Sequence, residues 1–335
     1  MKKYSIKDIA ELSNVSVATV SRVINNNGRF SEETRKKVLK VIEETGYKTN
    51  FSAKSLRMNK SFTIGIIVPD ISNYFFADVV QKIEEILFSK GYSTIICNTS
   101  RSETKEKAYL EILQSKGVDG LIVISGAKKF AFQYFNSDKK IPYICIDREP
   151  ENKKLTTFIS SNHYQGAFEA TETLIQAGAR HSIIIMYDRI STSSAERLKG
   201  FTDAFKKNNI VFEANRSVLV LKNDQSEVSE QIKNFLLDND WVDGIFAIND
   251  HVALDALTAI KLLNKKSPED IKIIGFDNIP ASNYSHPTLS SVKQNTSKIA
   301  QAAVDNLLNL IDHPKDVANT VLIPVELVLR ESSMT

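Results

Sequence analysis

Residues 15–25, Val15-Ser16-Val17-Ala18-Thr19-Val20-Ser21-Arg22-Val23-Ile24-Asn25, decide how the rest of this 335-residue chain is read. Ser16 can cap a helix. On that helix Val20, Val23 and Ile24 share one face, while Val17, Ala18, Ser21, Arg22 and Asn25 share the opposite one. A tight apolar stripe opposite a Ser/Arg/Asn face suits a short helix that packs on a small core and presents its other side to a groove. The flanks supply the packing partners. Upstream, Ser5 with Asp8 three residues on opens a helix that carries Ile6, Ile9 and Ala10, and Ser13-Asn14-Val15 is the turn that follows. Downstream, Asn26-Asn27-Gly28 ends the central helix, and Ser31-Glu32-Glu33 opens a third. Val38, Leu39 and Ile42 of that third helix are expected to complete the core, and Gly46 stops it. The pattern predicts an all-α helix-turn-helix head over residues 1–50.

The head is also the basic end of the molecule. Residues 1–60 hold thirteen Lys and Arg against six Asp and Glu, a net +7 in a chain whose total is +3, so the remainder carries −4. A basic end on an acidic body points to a polyanionic partner for that end. With 42% hydrophobic and 25% charged residues the chain can build a core, and its length suits two or three compact units. No apolar stretch follows Met1-Lys2-Lys3, and nothing approaches the roughly 18 apolar residues of a membrane span. A cytoplasmic protein with no membrane partner is expected, which argues against an exported solute-binding protein. Cys97 and Cys145 sit inside apolar runs and read as reduced core thiols rather than a disulfide or a metal site.

From Thr63 onward, apolar runs alternate with helical stretches. The runs are Ile64–Pro69, Thr94–Cys97, Leu121–Ile124, Tyr143–Ile146, Ile183–Tyr187, Ile245–Ile248 and Ile271–Phe276. Near-continuous Ile/Val runs suit strands buried on both faces of a parallel sheet, with helices over 74–90, 103–116, 163–177, 195–208 and 251–264 between them. Nearly every run ends on a polar side chain: Asp70, Asn98, Ser125, Asp147, Asp188, Asn249-Asp250 and Asp277. Ligands of open α/β sheets bind just beyond the carboxyl ends of strands, so these positions predict a small polar ligand. Their division before and after about residue 160 predicts two lobes facing a cleft.

Ile6-Lys7-Asp8-Ile9-Ala10, the 15–25 stretch, Ser31-Glu32-Glu33-Thr34-Arg35 and Gly46-Tyr47 together are similar to the head of LacI-family repressors. The resemblance places Val17, Ala18 and Arg22 against base edges of double-stranded operator DNA, with Ser16, Thr19, Ser21 and Asn25 also at that interface. Arg22 can fork onto guanine O6 and N7, and Val17 and Ala18 offer apolar contact to a thymine methyl. Thr19 and Ser21 suit phosphates. Phe51-Ser52-Ala53-Lys54-Ser55-Leu56-Arg57 resembles the family's hinge helix, whose leucine, here Leu56, wedges into the minor groove of a homodimer's operator. Lys54 stands where the family often has arginine, and Thr49 where it often has proline.

The body resembles the type-I periplasmic-binding fold through Pro69-Asp70-Ile71-Ser72-Asn73-Tyr74-Phe75-Phe76, Val118-Asp119-Gly120, Ile146-Asp147-Arg148, Glu196-Arg197-Leu198-Lys199-Gly200-Phe201, Asn249-Asp250, Ile274-Gly275-Phe276-Asp277 and Val292-Lys293-Gln294. The resemblance implies a hinge over 51–60 and a two-lobed ligand-binding and dimerisation body over 61–335. Lobe 1 would take about 61–160 and 292–320, and lobe 2 about 161–291 and 321–335. It implies a sugar site made of Asn73, Phe75, Phe76, Asp147, Arg148, Arg197, Asn249, Asp277 and Gln294. Planar polar groups there serve vicinal hydroxyls, and phenyl faces serve sugar C–H groups. The set resembles receptors for five-membered-ring sugars, ribose first and fructose or a sucrose-derived sugar second. Tyr74 and Asn295 stand where prolines are frequent.

An enzyme is the first rival. The five histidines form no pair at metal-ligand spacing, and neither a Gly-x-Ser-x-Gly elbow nor a phosphate loop is present. No metal or cofactor is expected. The second rival is a catabolite-control regulator of the same family that docks a phosphocarrier protein as co-repressor. The completeness of the sugar-type set favours a repressor of sugar-utilisation genes that leaves its operator on binding sugar.

Overall fold

The computed structural model describes residues 4–24, 26–47, 60–126, 141–152, 154, 156–189, 191–222, 227–313 and 319–334. It divides into two compact units, Met1–Ser61 and Phe62–Thr335. Among the described residues no helix is long and apolar enough to cross a membrane.

The first unit contains α1 (Ile6–Leu12), α2 (Val17–Ile24) and α3 (Glu32–Thr45). Ser5 caps α1 reciprocally: its hydroxyl accepts from the Asp8 amide at 3.3 Å, and the Asp8 carboxylate accepts from the Ser5 amide at 2.6 Å. Gly46 closes α3 in the left-handed region at φ 63°, which costs glycine no Cβ clash. Ile9, Val20 and Val38 have no exposure and meet in one core, each burial contributing about 1.5–3 kcal/mol. Leu39 departs from expectation: it is 45% exposed. One residue on from Val38 turns the side chain about 100° around the helix, and Val41 and Ile42 take the inward positions instead. Asn25, Thr49 and the hinge stretch with Leu56 lie outside the described residues.

The second unit runs β1 (Thr63–Val68), α4 (Tyr74–Ser89), β2 (Ser93–Asn98), α5 (Glu103–Ser115), β3 (Gly120–Ile124), β4 (Tyr143–Ile146), β5 (Phe158–Ser161), α6 (His163–Gln176), β6 (Ser182–Tyr187), α7 (Thr192–Lys207), α8 (Ala214–Ser217), β7 (Val218–Leu221), α9 (Val228–Asp238), β8 (Gly244–Ala247), α10 (Asp250–Leu262), β9 (Lys272–Asp277), β10 (Ser290–Lys293), α11 (Thr296–Asp312), β11 (Thr320–Ile323) and β12 (Glu326–Val328). The strands form two six-stranded sheets, in the orders β11-β5-β4-β3-β1-β2 and β12-β10-β9-β8-β6-β7. The first sheet is parallel throughout, and in the second only β12 runs antiparallel, against β10. Helices α4 and α11 cover the first sheet through Ile83, Leu87, Ile299 and Leu307, and α6 and α7 cover the second through Leu174, Phe201 and Phe205. This is a two-lobed α/β body.

The chain passes between the sheets three times, between Ser161 and His163, after Lys293 and after Ile323. The second passage corrects the expected boundary at 291. Val292 and Lys293 still pair with Phe276 and Asp277 on one side and with Leu327 and Glu326 on the other, so β10 belongs to the second lobe to its end. The third corrects the boundary at 320, because Val321 to Ile323 pair with Ile159 to Ser161 in the first sheet.

Gly200 sets the fit of α7 on α6. A Cβ there would collide with the Tyr164 carbonyl and lie 2.9 Å from the Phe168 amide nitrogen, both backbone atoms that cannot swing away. Gly200→Ala is expected to cost about 1–3 kcal/mol and to lower the calorimetric midpoint by several degrees. An unchanged midpoint would contradict this packing.

Candidate functional site

On α2 the sequence's two faces separate as the spacing requires. Val20 and Val23 are buried, while Val17 (41% exposed), Ala18 and Arg22 face outward. Ser16 is the cap: its hydroxyl accepts from the Thr19 amide at 3.1 Å and bonds the Thr19 hydroxyl at 2.9 Å. Thr19 and Ser21 are half-buried at the edges of the outward face. Gly28, at φ 93°, lies against the Arg22 stem, where a Cβ would meet Cδ at 3.3 Å. An exposed valine beside an arginine, on a helix anchored by its opposite side, can offer a methyl contact and a fork to a groove.

In the second unit the carboxyl ends of both sheets open on a cavity of about 1150 Å³. Asn73, Phe75, Phe76, Asp147, Arg148, Arg197, Asn249 and Asp277 all line it. Gln294 is not on its wall. It is buried behind Asp277, to which its amide donates at 2.7 Å. Among the polar strand ends, Asp70, Ser125 and Asp188 also reach the cavity, whereas Asn98 and Asp250 do not. Asn98 accepts from the Ile71 amide. Asp250 turns into the second lobe, accepting from Ser291, from Ser282 at 2.7 Å and from the Ile279 amide at 2.8 Å, which makes it a packing group.

The two asparagines begin helices. Asn73 accepts from the Phe75 amide and Asn249 from the Val252 amide, each at 3.0 Å. These caps fix both side chains on the cavity wall. Phe75 has a double place: it is 6% exposed, belongs to the first-lobe core and still contributes to the wall. Phe76 packs edge-on to it at 5.4 Å.

The charged groups are buried and mutually held. Asp147 and Arg148 are 3% and 7% exposed, so they are not an ordinary surface pair. Arg148 donates to Glu106 of α5 at 2.7 Å. Gly126 makes room for it, since a Cβ there would come within 2.7 Å of its Nε. Asp147 accepts from the Ser160 hydroxyl at 2.8 Å, the Ser161 amide at 3.2 Å and His163 Nε2 at 2.8 Å. Burial pushes its carboxyl up, but His163, Ser160 and Arg197 prevail and hold it below the usual range. Arg197 donates to the Ile248 carbonyl, lies 3.6 Å over the Phe276 ring and sits 3.5 Å from Asp277. Burial raises Asp277 to about 7 despite Arg197.

The backbone at these strand ends is strained. Ser125 (φ 51°), Asp147 (φ 52°) and Asp277 (φ 109°) occupy a region that side-chain-bearing residues rarely adopt, and all three line the cavity. Such strain, of order 1–3 kcal/mol each, gathers where surrounding structure holds a side chain to a task.

Sequence reasoning missed several wall residues: Arg101, Glu106, Tyr187, Arg189 and the serines of 191–194. Tyr187, an aromatic on the second-lobe side of the wall, was legible as the last residue of the Ile183–Tyr187 run. Glu106 was not, because it lies in the first turn of α5, 42 residues from Arg148. The two cysteines are buried core thiols, raised by burial to about 11 (Cys97) and about 12 (Cys145).

Known proteins share both units. The model of bacterial regulatory proteins of the lacI family matches residues 5–50, and that of a periplasmic binding protein-like domain matches residues 171–333. A ribose operon repressor of Halalkalibacterium halodurans is 32% identical over 332 residues, covering 98% of this chain and 97% of that protein. An HTH-type transcriptional repressor PurR of Histophilus somni is 32% identical over 333 residues, 99% of each. A periplasmic binding protein/LacI transcriptional regulator of Alkaliphilus metalliredigens, solved with D-xylulofuranose, is 29% identical with a TM-score of 0.72, covering 82% of this chain and all of that one. With similarity of this extent running through head and body alike, the chain belongs to the lacI family of bacterial regulatory proteins and is one of its transcriptional repressors, not an enzyme.

Proposed function

We propose that a homodimer of this chain binds a near-palindromic operator of sugar-utilisation genes in the cytoplasm, one head per half-site, and that a furanose sugar in the cleft weakens this hold. The observation that carries the ligand class is the cavity wall. It combines three planar charged groups, Asp147, Arg148 and Arg197, with two asparagine amides and the Phe75 and Phe76 faces. That mixture fits a small neutral molecule with several hydroxyls and an apolar C–H face. The ribose operon repressor and the xylulofuranose-bound regulator among its relatives favour a five-carbon sugar or ketose first. Val17, Ala18 and Arg22 of α2 read bases, with Ser16, Thr19, Ser21 and Asn25 beside them, and Leu56 of the hinge stretch serves as the minor-groove wedge.

The test is a thermal-shift and calorimetric panel of pentoses, hexoses and their phosphates. Ribose or fructose should raise the melting midpoint, by about 2.7 kcal/mol of stabilisation at a hundredfold excess over Kd. No response to any sugar in the panel would overturn the ligand class, and protection by a phosphocarrier protein alone would favour the docking alternative.

Asp277 makes the binding pH-dependent. Its pKa is raised to about 7 by burial, with Arg197, Asp250, Asp147 and the Gln294 amide facing it. The carboxyl is therefore protonated at pH 6 and ionised at pH 8. A sugar hydroxyl donating to the carboxylate needs the ionised form. The association constant is expected to rise about tenfold from pH 6 to pH 8, and Asp277→Asn should flatten the profile. A flat wild-type profile, or one falling with pH, would contradict this role.

A further inference from the structure

His163 is a lone histidine that no motif marks, yet it sits where the chain first passes between the lobes. It opens α6, which packs against the second sheet, and it is 2% exposed. Its Nε2 is 2.8 Å from Asp147 Oδ1, at the end of β4 in the first sheet. Its Nδ1 faces Arg197 of the second lobe, whose Nε and Nη2 lie at 3.4 and 3.3 Å. The ring also lies 5.6 Å from Phe276, the same ring that Arg197 covers. His163 is absent from the cavity wall, while both of its partners are on it.

The partners dictate the state of the imidazole. An ionised carboxylate only accepts, and a guanidinium only donates. One ring nitrogen must therefore carry hydrogen and the other a lone pair, which is the neutral Nε2–H tautomer. The charged groups around the ring agree. Burial lowers its pKa, Asp147 and the more distant Glu196 oppose this, and Arg197 adds to it.

We infer that His163 is a positioning residue: a buried imidazole that ties a first-lobe carboxylate to a second-lobe guanidinium and so aims both into the sugar site. This rests on the sugar-site reading above and deepens it. Asp147 follows β4 of the first sheet and Arg197 lies on α7 over the second, and an apolar residue at 163 would leave each with an unmet hydrogen-bonding group underneath. Both would then relax toward other partners, Ser160 for Asp147 and Asp277 for Arg197. The site would keep its chemistry and lose its geometry. Glutamine at 163 can restore the polarity, because its amide N–H₂ donates toward Asp147 while its oxygen accepts from Arg197.

Two measurements on the full-length protein test this. The first needs no sugar: ¹⁵N NMR of histidine-labelled wild type should show His163 as a neutral Nε2–H ring that does not titrate between pH 6 and 8. An Nδ1–H or doubly protonated ring would overturn the inference. The second is calorimetric titration with D-ribose and D-fructose, whichever binds wild type. His163→Leu should lose roughly tenfold or more in affinity, and His163→Gln should recover most of it. Leucine binding as tightly as wild type, or glutamine losing as much as leucine, would overturn it. If wild type binds neither sugar, the ligand reading fails, and the tautomer measurement still decides whether the bridge exists.

Discussion

Arg148→Ala is expected to silence the response at sugar concentrations that just saturate the wild type, while the head still holds its operator. Arg148 is 7% exposed on the cavity wall and gives a charge-assisted hydrogen bond to Glu106 at 2.7 Å. Truncation removes the donors a sugar hydroxyl would use and leaves Glu106 of α5 without this partner. A hydrogen bond to a charged group contributes about 1.5–3 kcal/mol, so affinity should fall by one to two orders of magnitude. Arg148→Lys should also fail, because a point charge cannot repeat the planar fork. Isothermal titration with the sugar, paired with operator binding in its absence, measures both halves. A retained sugar response would remove Arg148 from the site.

The second large effect concerns α2. Arg22→Ala should reduce discrimination at one guanine of each half-site by roughly 1–3 kcal/mol. Arg22 is exposed on the face that also presents Val17 and Ala18, and Gly28 leaves its stem unobstructed. Competition binding against operators with each base pair substituted would show a preference that flattens at one position. Equal loss on every sequence would mean Arg22 touches only phosphate.

The seven apolar runs were legible because strands buried on both faces are written in Ile and Val. β5 and β10 escaped because they carry Ser160, Ser161, Ser290 and Ser291, buried at 5%, 1%, 0% and 0% exposure where an apolar rule expects none. Ser160 is satisfied by Asp147 and Ser291 by Asp250, partners that only the fold brings near. α11 had a readable signal in the helical spacing of Ile299, Ala303, Leu307 and Leu310. Its cap explains Asn295: where the family often has proline, the asparagine side chain accepts from the Lys298 amide at 3.0 Å. Tyr74, the other departure, is the first residue of α4 and is 45% exposed, a position open to proline or tyrosine alike.

For the site, composition at strand ends named Asp70, Ser125, Asp147, Asp188, Asn249 and Asp277 of the wall, because open α/β sheets place ligands there. It could not tell Asp277 from Asp250, which are similar in sequence context. One faces the cavity and the other is enclosed by Ser282 and Ser291. Nor could it find His163, whose partners lie 16 and 34 residues away. Gln294 shows the reverse limit. A matching motif position put it in the site, but the structure sets it behind Asp277, where it donates to a wall carboxyl rather than lining the wall.

In the proposed repressor, occupancy of the cleft sets how tightly the head holds DNA. Fluorescence anisotropy of a labelled promoter fragment, titrated with full-length protein at fixed salt with and without saturating sugar, measures it directly. The predicted result is an operator Kd weakened about 5–150-fold by the sugar, a coupling of roughly 1–3 kcal/mol. Identical operator affinity in both titrations, with calorimetry showing the sugar bound, would contradict it.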